Sequence, residues 1–168
     1  MENNLELRMY SLVLYNISSI QQGIQAYHAT IEATQNFNKE FSIDKNQFDD
    51  WAKLWKTVII LNGGSTVTMN QHLQILRENK IKYSRFNEPD LNDSLTAISF
   101  IVDERVFDKK KYPDYINHEL EFKNKSGIIG LSSSDMDDYN HDYKIWLRSI
   151  GGEQNAFLRI FLSQFKLA

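Results

Sequence analysis

Residues 18–29, SSIQQGIQAYHA, follow the apolar run LVLY at residues 12–15 and begin the first helix that the sequence predicts. Ser18 lies three residues before Gln21, and the next serine and glutamine repeat this spacing. In this capping-box pattern the serine hydroxyl and the glutamine side chain each bind a backbone N–H that would otherwise have no partner. We therefore expect the helix to begin here and to end at about Thr34.

Two stripes of side chains recur along this helix at spacings of three and four residues. The first stripe is apolar, and its spacing predicts a face that packs on a sheet. It contains Ile20, Ile24, Tyr27 and Ile31. The second stripe is polar, begins one residue later and contains Gln21, Gln25, His28 and Glu32. Periodicity alone makes the polar stripe a solvated flank of the helix, and the alternative is that it lines a site.

Predicted strands and helices alternate over residues 1–102. The predicted strands cover residues 5–15, 57–61, 80–86 and 95–102. Besides the first helix, the pattern predicts a short helix that turns Trp51 and Trp55 inward and an amphipathic helix with Met69, Leu73 and Leu76. A strand-helix-strand crossover favours parallel neighbours, whereas a short acidic loop joins the last two strands. The sequence therefore predicts an α/β fold with a mixed sheet, in which the unbroken apolar first strand is central.

The length and composition of the chain limit its class. The chain has 168 residues, of which 42% are hydrophobic, and this is enough for one well-buried core. We expect a single domain, residues 1–168, with a core at residues 1–102 and an extension with a C-terminal helix at residues 103–168. The absence of cysteine excludes disulfides, thiolate metal sites and a cysteine nucleophile. Neither a secretory signal nor a membrane-spanning run is recognised, so we expect a cytoplasmic protein.

The charges of the chain are well mixed, since 19 basic and 22 acidic residues give a net charge of -3. No overall field therefore attracts a polyanion, which argues against a tight, non-specific nucleic-acid binder. A local basic patch that contacts a few phosphates remains compatible with this charge, because such contacts need only a handful of Lys and Arg residues.

We expect neither a cofactor nor a metal. The glycine pair after the second predicted strand lacks the spacing of a phosphate-binding loop, and the acidic run at residues 135–142 lacks the glycine and closing glutamate of a calcium loop. We interpret residues 103–144 as an irregular excursion of the domain, in which the acidic run is a solvated loop. The apolar C-terminal helix that follows is expected to dock on the sheet or on a second subunit.

Residues 23–29, GIQAYHA, placed after a buried strand, resemble the Ala-Ala-Gln-Cys-x-His-Ala helix of the type 2 peptidyl-tRNA hydrolases. In that family a tryptophan precedes the second strand, and an acidic loop leads to a strand that begins with a threonine. Here Trp55, the loop Glu88-Pro89-Asp90 and Thr96 follow in the same order. The chain is most similar to a divergent branch with the helix pattern Ser-x-x-Gln-Gln-x-x-Gln-Ala-x-His-Ala.

The resemblance implies a three-layer α/β/α sandwich with a four-stranded mixed sheet. It also implies hydrolysis of the ester that joins a peptide to the 3′ end of tRNA, or of a related aminoacyl or nucleotide ester. Such a reaction needs a positioned, deprotonated water and donors aimed at the developing oxyanion. The implied catalytic residues are His28, Glu88, Asp90 and Thr96. The implied substrate-binding residues are Gln21, Gln22 and Gln25.

Two functions stay open at this point. The enzymes of the family carry a lysine at the start of this helix, where the chain has Gln21 and Gln22, and an amide donates hydrogen bonds without supplying a positive charge. The chain is expected to be either an aminoacyl- or peptidyl-tRNA esterase or a catalytically inactive module that binds a nucleotide, RNA or a protein. The expected partners are tRNA or a nucleotide, and a second copy of the chain bound through the C-terminal helix. Binding to a membrane is not expected.

Overall fold

A computed structural model describes residues 5–115 and 133–168. Its strands are β1 Leu7–Leu14, β2 Thr57–Gly64, β3 Ser84–Glu88 and β4 Ser94–Asp103. Its α-helices are α1 Ser19–Gln35, α2 Lys45–Asp50, α3 Thr66–Glu78, α4 Glu104–Phe107, α5 Ser133–Ser149 and α6 Glu153–Leu162. A π-helical turn, Trp51–Trp55, extends α2, and a 3₁₀ turn, Pro89–Leu91, joins β3 to β4. None of these described helices is long and apolar enough to cross a membrane.

The four strands form one mixed sheet in the order β2-β1-β4-β3. Strand β1 is parallel to β2 and antiparallel to β4, and β3 is an antiparallel edge strand beside β4. The first predicted strand is therefore central, and it is buried from Met9 onward. The C-terminus covers the edge of β2, since Asn62 donates its backbone N–H to the Lys166 carbonyl at 3.0 Å. The predicted α/β class and the mixed four-stranded sheet are confirmed.

Alternate residues of β1 and β4 pack into different clusters. The largest cluster joins Leu12 and Phe100 to residues of α3 and α6. Met9 and Ile101 instead pack with residues of α1 and α2. Because successive side chains of a strand point to opposite faces, these two clusters lie on opposite sides of the sheet.

Helix α1 begins where the sequence predicts. Ser18 is its N-cap, and its hydroxyl accepts a hydrogen bond from the backbone N–H of Gln21. The Gln21 side-chain oxygen accepts in turn from the backbone N–H of Ser18 at 3.1 Å. Both hydrogen bonds of the predicted capping box are therefore present, and they place the first helical turn directly after the end of β1.

The prediction of which face of α1 packs on the sheet is wrong. The apolar stripe is exposed to solvent: the exposed fractions are 78% for Ile20, 44% for Ile24, 62% for Tyr27 and 37% for Ile31. The buried face consists instead of Gln22, Gln25, Ala26, Ala29 and Ala33. Alanine side chains let the helix backbone approach the sheet closely, so this face packs densely without large apolar groups. The two glutamines are tolerated there because their amides are hydrogen-bonded.

Two other predicted elements are present with changed boundaries. The indole N–H of Trp51 donates to the Thr57 carbonyl at 2.9 Å, and this tryptophan is buried as predicted, whereas Trp55 is half-buried. Strand β3 begins later than the predicted residue 80. The reason is that the Ile81 N–H still bonds to the Leu76 carbonyl, so this segment finishes the C-terminal turn of α3.

The extension contains more helix than the sequence indicates. Helix α4 follows β4 directly, and α5 covers the acidic run that was expected to be a loop. The part of the predicted excursion at residues 116–132 lies outside the described residues. Helix α6 docks on the molecule's own core, since Phe161 is 2% exposed and shares a cluster with Phe100. Of the two predicted destinations of this helix, the sheet is the one that the structure shows.

The observed face of α1 predicts opposite tolerances for two substitutions. Ile20→Gln should change the free energy of unfolding by less than about 0.5 kcal/mol, because the side chain is at the surface. Ala29→Leu should lower it by about 1–3 kcal/mol, because the larger side chain overpacks the contact with the sheet. Urea unfolding followed by circular dichroism measures both. A larger loss for Ile20→Gln than for Ala29→Leu would contradict the observed packing.

Candidate functional site

A continuous chain of hydrogen bonds joins α1, β4 and the end of β3. The Thr96 hydroxyl donates to the Gln25 side-chain oxygen Oε1 at 2.5 Å. The Gln25 nitrogen Nε2 donates to the Glu88 carboxylate at 2.6 Å. We call Gln25, Glu88 and Thr96 the glutamine cluster. Its members come from distant parts of the sequence, and the packing of α1 on the sheet brings them together.

The neighbours of the Gln25 amide determine which end is the nitrogen. An ionised carboxylate only accepts hydrogen bonds, so the end that faces Glu88 is assigned as the NH₂ group. The oxygen then accepts from Thr96, whose hydroxyl also lies 3.3 Å from the Phe86 carbonyl. Both ends of the amide have a partner, which is the condition for burying a glutamine that is only 7% exposed.

Glu88 is the most accessible member of the glutamine cluster. Thr96 is fully buried and Gln25 nearly so, whereas Glu88 is half-buried. A carboxylate offers about four lone-pair sites, and one hydrogen bond from Gln25 leaves the others open to water or to a ligand. Within the cluster, the Glu88 carboxylate is therefore the group most open to a substrate.

His28 lies on α1 beside the glutamine cluster but is not bonded to it. Its ring centroid is 4.5 Å from that of Phe86 on β3. Its Nδ1 atom is buried, and it has no hydrogen-bond partner among the described residues. A neutral imidazole protonated at Nε2 leaves Nδ1 as a free acceptor. The structure thus places His28 beside the glutamine cluster, in contact with Phe86. Its predicted catalytic role stays a prediction.

The two glutamines at the start of α1 make structural contacts. Gln21 is exposed and completes the capping box with Ser18. Gln22 is 7% exposed, and its Nε2 donates to the Leu14 carbonyl at 3.1 Å, which ties the start of α1 to the end of β1. Neither amide is hydrogen-bonded to the glutamine cluster in the described part of the chain. Their predicted substrate-binding roles stay predictions.

Asp90 is exposed in the 3₁₀ turn and makes no ion pair or hydrogen bond through its side chain within residues 5–115 and 133–168. The turn itself is well held, since the Ser94 hydroxyl donates to the Leu91 carbonyl at 2.6 Å. Asp93 closes the turn in the left-handed conformation with a φ of 55°. Asp90 therefore lies two residues after Glu88 in the sequence but does not belong to the glutamine cluster.

The structure also contains a cavity that the sequence patterns did not indicate. Its volume is about 260 Å³, and it lies between the C-terminal part of α1, the following loop, α3 and the start of β3. Its cationic residues are Lys39, Arg77 and Arg85. They lie on separate elements and share no local motif, so only their meeting in space reveals them. We call this feature the cationic cavity.

No group of three or more His, Asp or Glu residues in the described ranges is placed to hold a metal ion. A scan against protein-family models gives no match, and a search of the curated proteins gives none either. The glutamine cluster and the cationic cavity are therefore the two features of the molecule from which we infer a function.

The buried hydrogen bond of Thr96 predicts a difference between two variants. Thr96→Val should lower the free energy of unfolding by about 1–3 kcal/mol, because the Gln25 oxygen stays buried without its donor. Thr96→Ser keeps the hydroxyl and loses one methyl group, so its cost should be about 1 kcal/mol. Urea unfolding measures both. A valine variant as stable as the wild type would show that this hydrogen bond does not stabilise the fold.

Proposed function

We propose that this chain hydrolyses an ester at the 3′ end of tRNA, or a related aminoacyl or nucleotide ester, with Glu88 as the general base. The observation that supports this best is the glutamine cluster, in which a buried amide holds a half-buried carboxylate at 2.6 Å. A carboxylate with a fixed position and free acceptor sites can orient a water molecule and take its proton as the water attacks the ester carbonyl, and it can return this proton to the ribose oxygen as the acyl–oxygen bond breaks. The cluster thus offers the base that the reaction requires.

The same cluster offers a donor for the oxyanion that develops in this attack. Gln25 Nε2 carries two hydrogens, and its bond to Glu88 uses one of them. The second hydrogen is the donor in our proposal. Because Thr96 already holds the amide in place, the donor needs little reorganisation during the reaction. Thr96 is therefore a positioning residue, and Asp90 is the alternative base.

We also propose that the chain belongs to the type 2 peptidyl-tRNA hydrolase-like family and has the three-layer α/β/α arrangement of that family. This assignment is supported by the order of the sequence motifs and by the packing of alternate residues of β1 and β4 into separate clusters. A tRNA or nucleotide partner and a cytoplasmic location follow from the proposed substrate. A dimer through α6 would use the side of this helix that stays exposed after the helix packs on the core. This side includes Ile160, which is 70% exposed.

A binding module without catalysis is the second candidate. Two observations favour it. Thr96 is fully buried, so its hydroxyl does not reach a substrate in this arrangement. The start of α1 also holds neutral amides where the family has a lysine, so no positive charge is supplied there to an oxyanion or a phosphate. In this alternative the Glu88 carboxylate accepts hydrogen bonds from the ribose hydroxyls of an RNA end.

The assay that tests the proposal is the release of a labelled N-acetyl amino acid from tRNA. Glu88→Gln should slow the release by about 10²–10⁴-fold, because the amide cannot take a proton from water. The matched control is Asp93→Asn, which changes an exposed acid of the same turn and keeps a residue type that tolerates the left-handed conformation. This control should release at the wild-type rate.

Two outcomes would contradict this assignment. If Asp90→Asn loses activity and Glu88→Gln retains it, the base is Asp90. If the wild type releases no faster than Glu88→Gln, the chain is not an esterase for this substrate. The second candidate then predicts binding without turnover, seen as a stabilisation of about 2.7 kcal/mol when RNA is present at 100 times its dissociation constant.

A further inference from the structure

The cationic cavity brings together three positive side chains from three different elements. Lys39 belongs to the loop after α1, Arg77 to the last turn of α3 and Arg85 to β3. None of the three forms an ion pair within residues 5–115 and 133–168. Arg77 donates through Nε to the Tyr83 hydroxyl at 2.6 Å, which leaves its two terminal nitrogens for a ligand. Unpaired cations around one concavity favour an anionic occupant.

The hydroxyl of a buried serine adds a donor to this cavity. Ser42 lines it, is 7% exposed and forms no side-chain hydrogen bond with any described residue. The preceding residue, Phe41, has a φ of 61°, a left-handed conformation that is costly for a bulky side chain. The Phe41 carbonyl accepts from the Tyr83 N–H at 2.8 Å, so the strained turn is tied to the start of β3. The loop is therefore held in the conformation that brings Ser42 to the cavity.

Two carboxylates also line the cavity and limit the kind of anion that it suits. Glu32 accepts from the Asn36 amide at 2.9 Å, and Glu40 is exposed. Three cations against two carboxylates leave an excess of one positive charge, which suits a ligand that carries both an anionic group and hydrogen-bond donors. A phosphate attached to a ribose has this combination, because its oxygens match the guanidinium fork and its hydroxyls donate to carboxylates.

The cavity lies along the same two elements as the glutamine cluster. Glu32 follows Gln25 by seven residues on α1, which is about 10 Å at ~1.5 Å per residue. Arg85 precedes Glu88 by three residues on β3, which is also about 10 Å at ~3.3 Å per residue. Such a span corresponds to about three stacked nucleotides at ~3.4 Å each. A strand whose end lies at Glu88 therefore has a backbone phosphate within reach of the cavity.

We propose that the cationic cavity binds a backbone phosphate of the RNA strand whose 3′ end lies at Glu88, with Lys39, Arg77 and Arg85 as the cations and Ser42 as a hydroxyl donor. This inference rests on the proposed function for the position of the 3′ end. The cavity of about 260 Å³ is smaller than the roughly 300–1,000 Å³ of pockets that enclose a whole ligand. It therefore suits one nucleotide unit of a longer strand.

The experiment measures the binding of a fluorescent single-stranded RNA without an acyl group, by anisotropy at several salt concentrations. The double variant Lys39→Gln, Arg85→Gln should bind at least about tenfold more weakly, because two charge-assisted hydrogen bonds are lost. The slope of log K against log salt should fall by about 0.7, since the cavity binds one phosphate and each phosphate contact on a single strand contributes about 0.7. The matched control is Lys82→Gln, which removes an exposed lysine that lines a different cavity. It should bind like the wild type.

Unchanged affinity and salt slope in the double variant would overturn the proposal, provided that its thermal unfolding matches that of the wild type. A second arm measures thermal stabilisation by inorganic phosphate. If phosphate stabilises the wild type and RNA binding does not depend on the two cations, the cavity takes a free phosphate and the strand proposal is wrong. Cation-dependent RNA binding by a chain without esterase activity would support the phosphate site and overturn only the proposed catalysis.

Discussion

The close packing of α1 on the sheet through three alanines is the contact on which the candidate site depends. Ala26 and Ala29 share a cluster with residues of β1 and β4, and Ala33 packs with Met9 and Ile101. Larger side chains on this face would hold the helix further from the sheet, beyond the reach of the hydrogen bond that Thr96 donates to Gln25. The small residues of α1 thus have a chemical consequence, because they bring an amide of the helix to a strand hydroxyl.

The members of the glutamine cluster differ in how deeply they are buried. Thr96 and Gln25 are shielded from water, so each of their polar atoms needs a partner inside the protein. Glu88 lies at the end of an edge strand and is the member with the most access to solvent. A carboxylate that a buried amide holds in position and that is partly exposed to solvent can act on a ligand. The cationic cavity is lined in part by residues of the same helix and strand, and in our proposal an RNA end lies on this side of the molecule.

Local signals in the sequence were sufficient for most of the fold, but they did not identify the candidate site. The capping box at Ser18 placed α1, whereas a common site for Gln25, Glu88 and Thr96 was implied only by the resemblance to a known family. The buried face of α1 could not be predicted from hydrophobic periodicity, which assigns isoleucine to the core and ignores how closely alanine lets a backbone approach. Helix α5 was missed because its sequence is polar and acidic. The cationic cavity was missed because its residues meet only in the folded chain.

The central claim is that a water molecule activated at Glu88 attacks the ester carbonyl. Its most direct test is a single turnover of N-acetyl-aminoacyl-tRNA in ¹⁸O-water, followed by mass spectrometry of the released acid and of the protein. We predict that each released acid carries one ¹⁸O atom in its carboxylate and that Glu88 carries none, because the oxygen of the water forms the new bond to the acyl carbon. Release of unlabelled acid with transfer of label to Glu88, or no release above the rate in buffer, would contradict the account.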